Sequence, residues 1–392
     1  MTATITLVVV VIVLALVFDF TNGFHDTANA MATPIATGAM KPKVAVGTAA
    51  VLNLVGAFLS TEVARTVSGG LLTAEGEGGG GIGPALILAG LMGAILWNLT
   101  TWYFGLPSSS SHALFGGLVG AAVAGAGLGA VDWSVLVGKV IIPAVLAPLT
   151  AGLVAFTATR LAYAITRRRD GRPDGRRGFR VGQVFSSSLV ALAHGTNDAQ
   201  KTMGVITLVL IAGGLQPAGS GPALWVIAAC ALAIAAGTYS GGWRIIRTMG
   251  TGLTAVKPAQ GFSAEVSTAA TVLASSHVGF ALSTTHVASG SVIGSGLGRR
   301  GAVVRWGTAR RIVAGWLLTM PAAAVVGALA ALLVGLGTVG VVVVVALGVA
   351  FMLAVFLRAR PERVDASSLE AEVNAAGTAV SRPRRGRKAA RR

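Results

Sequence analysis

Long apolar runs separated by short polar stretches fill this chain, and two of the longest runs carry polar residues in their middle. The runs lie at 5–38, 44–61, 84–104, 112–130 and 134–160, and again at 181–213, 222–240, 259–281, 286–298, 312–336 and 339–357. A helix of about 20 apolar residues crosses the hydrocarbon core of a bilayer. The pattern predicts an all-α, polytopic membrane protein with about 10–12 transmembrane segments. Runs 5–38 and 181–213 exceed one untilted span, and polar segments at 19–29 and 194–201 interrupt them, so each reads as a pair of half-helices. Run 286–298 is too short to span alone and reads as a re-entrant or kinked element.

The two interruptions match. Asn22-Gly-Phe-His-Asp-Thr-Ala-Asn29 recurs in altered form as His194-Gly-Thr-Asn-Asp-Ala-Gln-Lys201, and superposing Asp26 on Asp198 also superposes Gly23 on Gly195 and Met31 on Met203. A second pair, Pro107-Ser-Ser-Ser-Ser-His112 followed by Gly116 and Gly120, matches Leu282-Ser-Thr-Thr-His286 followed by Gly290 and Gly294. The offsets are 172 and 174 residues. Two unrelated motifs sharing nearly one offset indicate an internal duplication. An odd number of runs per half inverts the second copy, and the loop charges agree. Lys41 and Lys43 follow the first motif, whereas residues 214–221 after the second hold no basic residue. The loop at 62–83 holds one Arg and three Glu, whereas its counterpart at 241–257 holds Arg244, Arg247 and Lys257.

The expected organisation is a first inverted repeat at 1–160, a basic cytoplasmic loop at 161–180, a second inverted repeat at 181–336 and a final span at 337–357. A basic, disordered cytoplasmic tail at 358–392 completes it. The N-terminus is then outside the cell inner (plasma) membrane and the C-terminus inside. No Lys or Arg precedes Lys41, so the first run reads as a retained span and not as a signal peptide.

Composition supports this frame. Of 392 residues 54% are hydrophobic and 11% charged, against roughly 25% charged in soluble domains. The net charge of +17 invites a nucleic-acid reading, but the excess sits wholly in residues 160–180, 299–311 and 358–392. That is the pattern of positive-inside loops and a tail that could touch anionic lipid; no nucleic-acid partner is expected. Cys230 is the sole cysteine, which excludes an internal disulfide and a thiolate metal cluster.

Four acidic residues fall clearly inside apolar runs: Asp19, Asp26, Asp198 and Glu265. A carboxylate at a helix centre costs about 2.5–3.5 kcal/mol on insertion scales, so each should face a cavity, a cation, a proton or a partner. Asp26 and Asp198 recur at one repeat position beside glycines, which marks them as functional over the alternative of capping half-helices. Glu265 reads equally as a coupling group or a paired structural carboxylate, and Asp19 as a residue near the interface. The hydroxyl segments Ser108–Ser111 and Ser283–Thr285 precede new helical runs. They fit either N-capping or oxyanion binding at exposed N–H groups and positive dipole ends. His112 and His286 fit proton carriage or helix-start packing, and neither has the ligand set of a zinc site. No metal site or cofactor is expected.

The segments Asn22–Ala30, His194–Gly204 and Ser283–His286 are similar to the signatures of the inorganic phosphate transporter (PiT) family, and most to its bacterial low-affinity branch. The likeness runs from residue 5 to about 357. It implies a secondary symporter that imports inorganic phosphate with a cation. By matching position it places Asp26, Asn29, Asn197, Asp198 and Glu265 with the coupling cation or proton. It places Ser109, Ser110, Ser111, Ser283, Thr284 and Thr285 at phosphate. One position departs from the sodium-coupled pattern, because the partner of Asn29 is Lys201. A lysine three residues after Asp198 is within ion-pair reach. Its ammonium could fill the space of a sodium ion or contact phosphate, which favours H+ over Na+, or a neutral complex of a divalent metal with phosphate. A homo-oligomer is compatible with the family.

The nearest alternative is a symporter or channel for another tetrahedral oxyanion such as arsenate or sulfate. An intramembrane hydrolase built on a serine, His112 and Asp26 is disfavoured, because inverted duplication suits alternating access and not one nucleophile. No Walker-type segment is present.

Overall fold

The computed structural model describes residues 2–72, 82–169, 177–359 and 364–381. The first half contains α1 (Thr2–Ala36), α2 (Pro42–Gly56), α3 (Glu62–Gly70), α4 (Pro84–Tyr103), α5 (Ser110–Ala126), a short α6 (Trp133–Val135) and α7 (Ile142–Arg169). The second contains α8 (Arg177–Ala212), α9 (Leu224–Ser240), α10 (Trp243–Arg247), α11 (Pro258–His277), α12 (Thr284–Gly298) and α13 (Trp306–Val334), followed by α14 (Thr338–Ala359) and α15 (Ala366–Ser381). π-helical turns at Leu136–Ile141 and Thr248–Gly252 join α6 to α7 and extend α10. No strand occurs among the described residues, so the fold is all-α.

Sequence sets the helix starts. Pro42, Pro84 and Pro258 open α2, α4 and α11, where a missing N–H is harmless. The Ser109 and Ser283 hydroxyls accept the His112 and His286 N–H groups and cap α5 and α12. Gly105 and Gly279, matching positions of the two repeats, take φ of +63° and +72° and turn the chain from α4 and α11 into the hydroxyl segments.

The duplication is visible as paired contacts. α1 packs on α9 as α8 packs on α2, α4 on α5 as α11 on α12, and α5 crosses α13 as α12 crosses α7. Even the two isolated backbone bridges, Leu72–Val131 and Thr254–Val304, occupy matching places. Each half thus lends its hydroxyl-capped helix to the last long helix of the other half. The small residues seen in the sequence make this possible. A Cβ at Gly120 would lie 2.0 Å from the Ala324 carbonyl oxygen, and one at Gly294 would lie 2.0 Å from that of Gly152. Pro148 and Pro321 lie inside α7 and α13 at these crossings.

Polarity is distributed as a bilayer requires. Leu149, Leu153, Leu317, Leu329, Val342 and Leu353 are exposed on α7, α13 and α14, whereas Asp, Asn, Ser and Thr side chains are buried in the middle. Among the described residues, five helices are long and apolar enough to cross a membrane, or six when α9 and the following Trp243–Gly252 segment, bent by 61°, count as one span. The expected count of about 10–12 took in shorter apolar elements such as α2 and α5, of 15 and 17 residues.

Two expectations need correction. α1 and α8 run unbroken through the polar motifs, so neither is a pair of half-helices. The interruptions lie instead at the hydroxyl segments before α5 and α12 and at the bend after α9. The expected loop at 161–180 is largely helical, because α7 extends to Arg169 and α8 begins at Arg177. Residues 170–176, and 73–81 with Glu75 and Glu77, lie outside the described residues. Within the expected tail, α15 packs on α1, α2 and α10, burying Leu369 and pairing Glu372 with Arg247 at 2.7 Å. Residues 382–392 lie outside the described residues.

Candidate functional site

Gly23 and Gly195 do not break their helices; they bring helices together. A Cβ on Gly23 would meet the Ile234 carbonyl oxygen at 2.3 Å, and one on Gly195 would meet that of Asn53 at 2.2 Å. Close packing on α9 and α2 holds α1 and α8 in register, so Asp26 and Asp198, three residues beyond each glycine, face one another's half. α5 and α12 then present their N-terminal hydroxyls and positive ends to the two carboxylates.

The contacts interlock the halves. Asp26 accepts from Ser110 Oγ at 2.8 Å and from Thr285 Oγ1 at 3.2 Å, so both hydroxyl segments reach one carboxylate. Asp198 accepts from Thr284 Oγ1 at 3.0 Å. Asn29 Nδ2 donates to Thr284 and Thr285 at 3.2 and 3.0 Å. Lys201 Nζ pairs with Asp198 Oδ1, donates to Ser111 Oγ at 2.5 Å and to the Leu282 carbonyl at 2.9 Å. Every one of these side chains is buried. A lysine there is stable only because a carboxylate and two further oxygens receive its charge.

Two histidines that the sequence reading passed over complete the cluster. His25 Nδ1 stands 2.7 Å from Asp26 Oδ1, and its Nε2 is 3.2 Å from Thr101 Oγ1 and 3.3 Å from Ser108 Oγ. His194 Nε2 lies 2.8 Å from Asp198 Oδ2 and 4.0 Å from Asp26 Oδ2. Asp26, His194 and Asp198 offer three ligand atoms within 4.8 Å of one another, a set compact enough for a cation. Both histidines stand inside the quoted motifs; His194 carried a signal, one helical turn before Asp198, whereas His25, adjacent to Asp26, carried none.

Other expected residues lie apart from the cluster. Ser109 and Ser283 spend their hydroxyls as helix caps. Asn197 Nδ2 donates to Ser276 Oγ at 2.9 Å and to the Phe280 carbonyl. Glu265 forms its own buried group, accepting from Thr33 Oγ1 at 2.5 Å, Gln183 Nε2 at 3.0 Å and Ser186 Oγ. Asp19, expected near an interface, is fully buried. His112 and His286 stack on each other with centroids 4.7 Å apart, and His286 also meets Trp316. Both rings pack at the starts of their helices.

Comparison with known proteins agrees with this architecture. The model of the phosphate transporter family matches residues 22–177 and again 163–327, once for each repeat. The chain is 55% identical to a probable low-affinity inorganic phosphate transporter of Mycobacterium tuberculosis over 363 residues, covering 91% of this chain and 85% of that one. It is 42% identical to the protein of the same description from Bacillus subtilis, covering 81% of this chain and 93% of that one. Among solved structures, one titled the sodium-dependent phosphate transporter superposes with a TM-score of 0.74 at 23% identity, covering 85% of this chain and all of the other. A doubly matching family model, close relatives and a buried two-fold cluster at the repeat interface lead to one conclusion: the chain belongs to the phosphate transporter family, as a multi-pass membrane transporter and not an enzyme.

Proposed function

We propose that the chain imports inorganic phosphate by symport with protons in preference to sodium ions, through the cluster formed by Asp26, Asn29, Ser110, Ser111, His194, Asp198, Lys201, Thr284 and Thr285. The observation that carries this reading is the Lys201 ammonium, held by Asp198, Ser111 and the Leu282 carbonyl. Asn29, at the matching position, leaves no such charge. A resident cation at one of two related places removes the need for one sodium ion there.

Phosphate carries one to two negative charges near neutral pH. Moving one charge against the membrane potential costs about 2.3 kcal/mol per 100 mV, so co-entering positive charge must offset it. Asp26, Asp198 and the histidine between them supply places for protons. The positive ends of α5 and α12, with Ser110, Ser111, Thr284 and Thr285, supply donors for phosphate oxygens. In the structure Ser110, Thr284 and Thr285 donate to the two carboxylates and Ser111 accepts from Lys201, so phosphate entry exchanges one set of oxygens for another. Rocking of the inverted halves about this centre gives alternating access. The compact Asp26–His194–Asp198 set favours a second form of the cargo, phosphate carrying a divalent metal ion.

The test is radiolabelled phosphate uptake in proteoliposomes, with proton and sodium gradients imposed separately, with and without Mg2+. Accumulation under the proton gradient alone supports the reading; accumulation only under the sodium gradient overturns it.

A further inference from the structure

Two buried carboxylates, Glu265 and Asp19, lie outside the cluster described above. Asp19 is fully buried, and the Thr202 hydroxyl on α8 is the donor beside its carboxylate. Asn22 Oδ1, one turn along α1, is buried without a hydrogen-bond partner. Ala15, Phe18, Ala199, Met203 and Cys230 belong to the apolar core of this region. A carboxylate buried among apolar side chains with one hydroxyl beside it loses its hydration, so the place suits a proton or a cation.

Its position along α1 is informative. Asp19 lies seven residues before Asp26 on one continuous helix, nearly two full turns, so both share a face about 10 Å apart. Thr33, which donates to Glu265, lies seven residues after Asp26. Two acidic side chains therefore flank the central cluster at similar axial distances on opposite sides. Neither has an acidic repeat partner, since the offsets place Ala191 opposite Asp19 and Leu91 opposite Glu265. The charged or titratable groups acting on Asp19 from α8 are Asp198, His194 and Lys201, and Cys230 faces it from α9. His25 and Asp26 share its own helix, and Tyr103 at the far end of α4 is the sole titratable side chain of that helix.

We propose that Asp19 is the outer proton station of the transport cycle, binding a proton from the extracellular side as phosphate loads. The inference rests on the proton-coupled reading above. The proton adds to the Asp19 carboxylate while the site is open to the outside and leaves to the cytoplasm once the halves rock inward, returning the carboxylate to its ionised form. Ionised Asp19 adds a like charge about 10 Å from the phosphate place, which at an effective dielectric near 20 weakens phosphate binding about 10–20-fold. By linkage, phosphate favours the proton on Asp19 by the same factor. That reciprocity is coupling.

The experiment compares wild type, D19N and D19E in proteoliposomes, each checked for monodispersity and insertion. Phosphate counterflow reads binding and turnover without a gradient, and accumulation under an inward proton gradient reads coupling. D19N is expected to keep counterflow and to lose gradient-driven accumulation at least tenfold, whereas D19E keeps both with a shifted pH profile. Wild-type accumulation by D19N overturns the proposal, and so does loss of counterflow in D19N that is monodisperse and inserted. Wild type driven by sodium alone overturns the coupling reading itself; proton-driven wild type with an unaffected D19N overturns the role of Asp19 only.

Discussion

Replacing Lys201 with Met removes the one ammonium in the buried cluster while keeping much of its length. The substitution deletes the pair with Asp198 and the bonds to Ser111 Oγ and the Leu282 carbonyl. It leaves Asp198, also fully buried, with Thr284 and His194 as its remaining neighbours. Breaking a buried ion pair from one side costs about 3–5 kcal/mol, because an uncompensated charge stays in a low-dielectric interior. Asp198→Asn alone strands the ammonium and should cost a similar amount. The double variant K201M/D198N strands neither charge, so its loss should fall about 2–3 kcal/mol short of the summed single losses. Equilibrium unfolding of the four proteins in mixed detergent micelles measures the cycle. Additivity within about 0.5 kcal/mol would show that the two side chains do not act as a pair, and the reasoning from Lys201 as a resident cation would fall with it.

Asp26→Asn should abolish phosphate uptake while the protein still inserts, because a neutral amide neither takes up a proton nor supplies the negative charge that the carboxylate offers a cation between Ser110, Thr285 and His25; uptake at the wild-type rate would contradict this. Gly294→Ala should destabilise the protein by about 1–3 kcal/mol through overpacking, since its Cβ would lie 2.0 Å from the Gly152 backbone oxygen; thermal unfolding checks it. Glu372→Gln at the partly exposed pair with Arg247 should cost less than about 1 kcal/mol, an effect that fades in high salt. His194→Gln should lower uptake at least tenfold at neutral pH, read as initial rate, if the ring between Asp26 and Asp198 carries charge in the cycle.

Much of this architecture was legible because duplication writes the same chemistry twice. The repeated Asp–Gly spacing marked the two segments that carry Asp26 and Asp198, and the hydroxyl segments marked the starts of two further helices. The Asp198–Lys201 pair followed from one helical turn of separation. What could not be read was which face each polar residue presents. Glycine beside charge looked like a helix break, whereas Gly23 and Gly195 are places where another helix's backbone comes within contact distance. Glu265 is carried on α11 to Gln183 and Ser186, away from the centre, by packing that only the assembled halves define. His25 and His194 were visible in the motifs, but a histidine's neighbours are set by the tertiary fold. For the same reason, Ser109 and Ser111 differ in role despite their shared segment: one caps its own helix and the other reaches Lys201.

The central claim is that the Lys201 ammonium stands where a co-transported sodium ion would otherwise sit. Phosphate uptake into K201Q proteoliposomes, measured at fixed pH with and without an inward sodium gradient beside the wild type, tests it most directly. Wild-type uptake should ignore sodium and follow the proton gradient, whereas K201Q should acquire sodium stimulation or lose its proton dependence. An unchanged cation dependence in K201Q, with phosphate uptake intact, would contradict it.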